Sequence, residues 1–291
     1  MLAIILALAS AIGYGSSDFA AGIASRAASV IQVTLVASVA AAVVVFAALP
    51  FGADQRPSGA SLAWGAAAGA GGTLGAFALY LGFRYAAFSV AGPLSAVGTA
   101  GFSVLAGLLL GERPSTLALI GIVLALPAII GVSASAADEE APQEGAQGRP
   151  LAGVAAGLIA GACFALLLIG LDRAGTGASG GGLWPVAAAQ VAELAVAGAA
   201  ATLTRNLRLP RGRTGWLAVI TGVTGAAGTI LYFFASHDGL LAITAVLTSL
   251  YPASTIVLAR MILGERLTRL RLIGLALAGA CVALIAAGGA G

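Results

Sequence analysis

The sequence predicts an all-α membrane protein: ten transmembrane helices arranged as two inverted five-helix repeats. Three observations carry this expectation. The chain of 291 residues is 60% hydrophobic and only 9% charged, with a mean hydropathy of +1.04. A soluble domain carries about 25% charged residues, so a chain this apolar has to face lipid. Apolar segments of about 20 residues, the length that spans a bilayer, recur ten times along it. The chain also contains one stretch twice: LGERPSTLALIG at 110–121 and LGERLTRLRLIG at 263–274, identical at eight of twelve positions at an offset of 153 residues. The register extends outward, with 90–111 lying over 243–264 and the glycine-rich run 69–75 over 222–228. Self-similarity at this range marks a duplicated structural unit.

The first segment, 2–24, follows Met1 without a basic n-region, and Asp18 and Arg26 arrive before any small-residue cleavage site. It reads as a retained helix rather than a signal peptide. Segment 29–50 is apolar almost throughout. Segment 62–84 carries Gly71 and Gly75 one turn apart, a spacing that lets helix backbones approach closely in lipid, and Thr73, Phe77, Tyr80 and Arg84 along one face. Segment 90–111 runs into the first Gly-Glu-Arg turn. Segment 116–136 holds Pro127, which takes one hydrogen bond out of the helix. Residues 137–150, ADEEAPQEGAQGRP, are too acidic and proline-rich to enter lipid and read as a linker between repeats at 1–136 and 151–291.

The second repeat runs through 151–172, with Gly153, Gly157 and Gly161 as its packing stripe, then 183–204, 215–237, 240–263 and 270–288. In 240–263, Pro252 withdraws the N–H that Thr248's carbonyl needs, and a simple kink and a binding feature both fit. Five helices per half is an odd number, so the second half enters the membrane upside down relative to the first. That plan belongs to many secondary transporters, whose substrate site lies near the midplane between the halves.

All fourteen basic residues are arginine, and Cys163 and Cys281 lie in apolar segments away from other ligand-type residues. That argues against a disulfide framework or a metal site. No P-loop, HExxH or Cys/His cluster occurs, so neither an enzyme nor a resident cofactor is expected, and transport would run on a gradient. The net charge of +3 resides in loops and suits anionic lipid headgroups rather than nucleic acid. Ten arginines fall in the loops after helices 1, 3, 5, 7 and 9 (the odd side) and three, Arg56, Arg113 and Arg173, on the even side. Counting places the odd side in the cytoplasm.

Glu193, at the centre of the seventh segment with Gln190 one turn before it, is the sharpest functional signal. An acidic side chain there costs about 2.5–3.5 kcal/mol on insertion scales, and such residues usually face a cavity on an ion or substrate path. A protonated Glu bonded to a neighbouring helix is the plainer alternative. Asp18 follows, in GYGSSDF with Tyr14 and Ser17, either in a cavity or paired with Arg26 at the interface. Helix 9 presents Thr244, Thr248, Tyr251 and Thr255 on one face, and helix 8 presents Thr221, Thr229, Tyr232 and Ser236. Aligned stripes in the central helices favour a shared polar cavity. Near the helix ends, Arg84, His237, Asp238 and Arg260 read as interfacial residues, with His237 an end-cap or gate.

Ten helices in two copies, a GER turn after the fourth helix of each, and YGSSDF in the first helix resemble the drug/metabolite transporter superfamily, in particular its EamA-type exporters. The likeness covers nearly everything outside the linker. Relatives often carry Trp-Gly-Ser in helix 1; here Tyr14 precedes Gly15 and Ser16, and the counterpart in helix 6 is Phe164-Ala165. The resemblance implies export of small metabolites, including amino acids, by alternating access through a central cavity. It further implies an integral protein of a prokaryotic plasma (inner) membrane with cytoplasmic termini, the opposite of the arginine count.

The expected site comprises Tyr14, Ser17, Asp18, Phe164, Gln190, Glu193, Thr229, Tyr232, Thr248 and Tyr251, with Glu193 and Asp18 as candidates for proton coupling. The expected partners are a small-molecule substrate, membrane lipid and protons. Two other readings make different demands on the centre. A carrier of hydrophobic drugs or lipid-linked substrates needs Phe and Leu walls, and a non-transporting scaffold or sensor needs a filled one.

Overall fold

The computed structural model describes residues 1–52, 57–85, 88–134, 150–175, 182–264 and 268–288. Helices α1 (Leu2–Ala24), α2 (Val30–Ala48), α3 (Gly59–Tyr85), α4 (Phe88–Leu109), α5 (Thr116–Ala134), α6 (Pro150–Ala174), α7 (Trp184–Leu203) and α8 (Gly212–Asp238) take the first eight segments in order. The ninth is broken. α9 (Leu241–Thr248) and α10 (Tyr251–Leu258) are separated by Ser249 and Leu250, and a π-helical turn over Ala259–Leu263 follows. α11 (Arg269–Gly288) completes the second repeat. Among the described residues there is no strand. The linker expected at 137–150 lies outside the described residues except for Pro150, which opens α6; Glu265 and Arg266 of the second GER turn lie outside them too.

Local chemistry accounts for the element boundaries. Ser29 accepts a hydrogen bond from the Gln32 N–H while the Gln32 side chain accepts from the Ser29 N–H, a reciprocal cap that fixes the start of α2. Gly111 and Gly264, the glycines of the two GER turns, both adopt left-handed φ (93° and 71°), which ends α4 and the ninth span in the same way. α5 passes through Pro127 without a break. Pro252 instead sits at the second residue of α10, in the first turn, where its missing N–H is tolerated.

The helices pair across the repeats more than within them. α1 packs on α8 as α3 packs on α6; α2 packs on α8 as α3 packs on α7; α1 packs on α9 and α10 as α4 packs on α6. Elements exchanged by adding five spans therefore make the same pairs, while α2 with α7, α4 with α9, and α5 with α11 pair with their own counterparts. This is the contact pattern of a pseudo-two-fold axis relating two inverted halves.

The interior is built mainly of alanine, such as Ala7, Ala100, Ala125, Ala160 and Ala245, while Ile5, Ile12, Val43, Val123, Val191 and Ile220 face outward. Lipid supplies little hydrophobic drive for helix association, so small residues that allow close approach do the packing. Gly69 is the extreme case. A Cβ there would overlap the Ala189 carbonyl, so α3 and α7 touch backbone to backbone.

Candidate functional site

A cavity of about 230 Å³ lies between the repeats, lined by α1, α2, α3, α4, α6, α7, α8 and the break between α9 and α10. Nine of the ten expected residues line it: Tyr14, Ser17, Asp18, Phe164, Gln190, Glu193, Thr229, Thr248 and Tyr251. They come together because helices from opposite repeats meet side by side at the midplane. α1 and α8 are stitched by Ser10 Oγ donating to the Gly228 carbonyl (2.8 Å) and Ser17 Oγ donating to the Thr221 carbonyl (2.9 Å). Tyr14 and Thr229 hydroxyls join at 3.1 Å, and Thr255 Oγ1 donates to the Gly15 carbonyl at 3.1 Å.

Tyr232 is the exception. It is fully buried and absent from the cavity wall, packed in a cluster that includes Leu168, Leu171, Leu241 and Ala245. It shares the face of Thr229 but stands one turn nearer the even side, where α6, α8 and α9 have already closed together. The helical stripe gave its direction correctly and its depth wrongly.

Glu193 is held by two donors from two elements. Ser38 Oγ of α2 donates to its Oε1 (3.1 Å) and Gln190 Nε2 donates to its Oε2 (3.0 Å); Gln190 Nε2 also reaches the Ser38 carbonyl at 3.4 Å. Gln190 is buried and Glu193 half-buried at the cavity wall. Asp18 differs: its side chain is exposed at the cavity wall, and among the described residues it has no hydrogen bond or ion pair, with Arg26 or any other group. The hydroxyl of Tyr14 lies within electrostatic reach of both carboxylates. No arginine or histidine is among the described residues that line the cavity.

The cavity runs from the midplane toward the odd side, as Asp18 and Ala21 near the end of α1, Val33 and Thr34 near the start of α2, and Leu79 of α3 indicate. The even side is closed by direct bonds between the repeats. Glu112, in the first GER turn, accepts from the backbone N–H groups of Leu241 (2.6 Å) and Ala242 (2.9 Å) at the start of α9. The Leu183 N–H donates to the Gly52 carbonyl (2.9 Å), and Ser61 Oγ donates to the Ala174 carbonyl. His237 caps the end of α8, its ring tilted on Phe233 with centroids 4.3 Å apart and its Nδ1 against the Phe233 carbonyl; Gly175 leaves room for that ring. This is an end-cap.

Ser38, Thr34, Thr99, Ser249 and the capping role of Glu112 escaped the sequence reading. An isolated hydroxyl in an apolar segment carries no periodic signal. Glu112 had one, its repetition in both halves, but that pointed only to a turn. Of the helix-3 face, Thr73 lines the cavity, and Tyr80 and Arg84 fall outside the described side chains.

The profile of the EamA-like transporter family matches residues 1–134 and again 150–287, once per repeat. A search of curated proteins gives no match. Among solved structures, one titled "Crystal structure of protein" superposes with a TM-score of 0.76 at 20% identity, covering 98% of each chain; at that identity the likeness speaks to the fold.

Proposed function

From the premise that the chain belongs to the EamA-like transporter family, we propose that it is a secondary or facilitative transporter exporting small polar metabolites, amino acids or related compounds, by alternating access. The membrane would be the plasma (inner) membrane of a prokaryote. One observation carries the reading: a cavity walled by both repeats surrounds Glu193 and Asp18 and runs toward the odd side, while Glu112, Leu183 and Ser61 bond the repeats together at the even end. Rocking the halves about their pseudo-two-fold axis would open that seam and close the other, exposing the same residues to the opposite face. Polar cargo is favoured by ten hydroxyl-bearing residues, Gln190 and two carboxylates, set in a wall otherwise of alanine, glycine and a few larger apolar side chains. The hydrophobic-carrier alternative needs the reverse, and a scaffold needs no cavity.

Glu193, with Asp18, is the assigned protonation site, so that proton and substrate alternate in the cavity. Glu193→Gln keeps the shape and both neighbouring donors while removing the titratable oxygen. In proteoliposomes with an imposed proton gradient, gradient-driven flux should disappear while the variant purifies and melts like the parent. Undiminished gradient-driven flux would take Glu193 out of the mechanism.

A further inference from the structure

The geometry points to a small organic cation, an ammonium or guanidinium compound lacking a carboxylate, as the ligand of this cavity, with Asp18 as its counter-charge; this narrows the polar metabolites proposed above and sets amino acids aside. The word substrate rests on the transport reading above; the binding chemistry stands without it. The charge on the cavity wall is negative. Two carboxylates face the cavity and no arginine or histidine does, among the described residues. A ligand carboxylate would leave water to stand beside like charges, whereas a cation would be attracted by them.

Most hydroxyl protons on the cavity wall are already given to protein acceptors. Ser17 spends its hydroxyl proton on the Thr221 carbonyl, Thr73 on Gly69, Thr99 on Ser95, Thr221 on Leu217 and Thr229 on Gly225. With the Thr229 proton so used, Tyr14 is the donor in its bond to Thr229. Gln190 directs its amide nitrogen to Glu193 and the Ser38 carbonyl. These groups therefore present mainly oxygen lone pairs to the cavity. Such a wall suits a donor-rich head, since ammonium has up to three N–H groups and guanidinium five, with no acceptor on either.

The helix break adds an unpartnered group. Ser249, in the two-residue gap between α9 and α10, lines the cavity at 1% exposure with no partner for its hydroxyl among the described residues. Beside it, Pro252 has no N–H to return to the carbonyl of Thr248 four residues earlier. A buried polar atom without a partner costs free energy, and a bound N–H group donating to the Ser249 oxygen would remove part of that cost. A cavity of 230 Å³ admits a compact ligand and excludes a peptide.

Three probes sharing one guanidinium test this: agmatine, which has no carboxylate; arginine, which adds one; and 4-guanidinobutyrate, which carries one in place of the amine. Calorimetric titration of the purified full-length protein in nanodiscs should give agmatine the tightest binding, arginine at least about tenfold weaker and 4-guanidinobutyrate weaker still. Asp18→Asn should weaken agmatine about tenfold to a hundredfold, the range for one charge-assisted contact. Asp18→Glu, which keeps the charge, should retain binding, so that misfolding is not mistaken for loss of the site. Ser249→Ala should cost about threefold to tenfold on the same scale. Arginine or 4-guanidinobutyrate binding as tightly as agmatine would overturn the proposal, as would no agmatine binding at all, or an Asp18→Asn variant that binds agmatine like the parent. Agmatine counterflow in proteoliposomes separates the two readings. Binding without counterflow sinks transport and leaves the cation site, and counterflow that prefers 4-guanidinobutyrate does the opposite.

Discussion

Glu112 and Asp18 are both carboxylates where the two repeats meet, and their surroundings differ completely. Glu112, on the even side, receives two backbone N–H groups from the first turn of α9, on the opposite repeat. Asp18, on the odd side of the midplane, receives none among the described residues. The same helix pairs run past both. α2 and α7 meet at Gly52 and Leu183 through a backbone hydrogen bond, and again at Ser38, Gln190 and Glu193 through side chains at the cavity wall. α3 and α6 meet at Ser61 and Ala174 in a bonded seam and stay packed farther along, where Gly71 and Gly75 lie against Cys163 and Phe164, and Phe164 borders the cavity. The pseudo-symmetry fixes which helices touch. Satisfied backbone groups shut the even side, while Asp18 on the other side stands without a hydrogen bond among the described residues.

If that comparison holds, the largest effect should come from the contact that sets helix spacing for seam and cavity alike. Gly69→Leu drives a side chain into the Ala189 backbone, which has no rotamer with which to yield. Overpacking by flexible neighbours costs about 1–3 kcal/mol; here the loss should exceed about 3 kcal/mol and appear as aggregated material on size exclusion. A monodisperse variant with parental melting would mean that α3 and α7 are free to separate.

Glu112→Gln should come next. The amide keeps one acceptor but turns an N–H₂ toward the Ala242 or Leu241 N–H, so one charge-assisted bond is lost and another weakened, at about 2–3 kcal/mol. Because these bonds join the repeats on the even side alone, their loss should favour opening there. A cysteine introduced at the buried Leu183 should then react with an impermeant maleimide at least about tenfold faster than in the parent background. Equal labelling would make Glu112 a local cap with no part in closure.

The architecture was legible because duplication and hydropathy act over tens of residues. The GER repeat located both halves, and an odd helix count fixed their inversion. Glu193 and Asp18 stood out because charge is rare in lipid-spanning segments. The unread parts depend on depth and on partners from the other repeat. Pro252 signalled an irregularity, but the gap opens at Ser249 and Leu250, because proline fits the first turn of the new helix. Ser38 was indistinguishable from any hydroxyl that bonds its own helix until α7 placed Glu193 3.1 Å away.

Tyr232 makes the finest test of the contrast between seam and cavity. Its hydroxyl is buried beside Thr244 without a hydrogen-bond partner among the described residues, and Thr244 gives its own proton to the Leu240 carbonyl. A cavity residue would lose substrate affinity on removal of that hydroxyl. A seam residue would instead shed an unsatisfied polar group, which is neutral or stabilising by up to about 1 kcal/mol. Tyr232→Phe should therefore melt at or slightly above the parent temperature and leave agmatine affinity within about twofold, the span of a few tenths of a kcal/mol. A tenfold loss of affinity would extend the ligand site one turn further toward the even side, and the boundary between the bonded seam and the cavity would have to move with it.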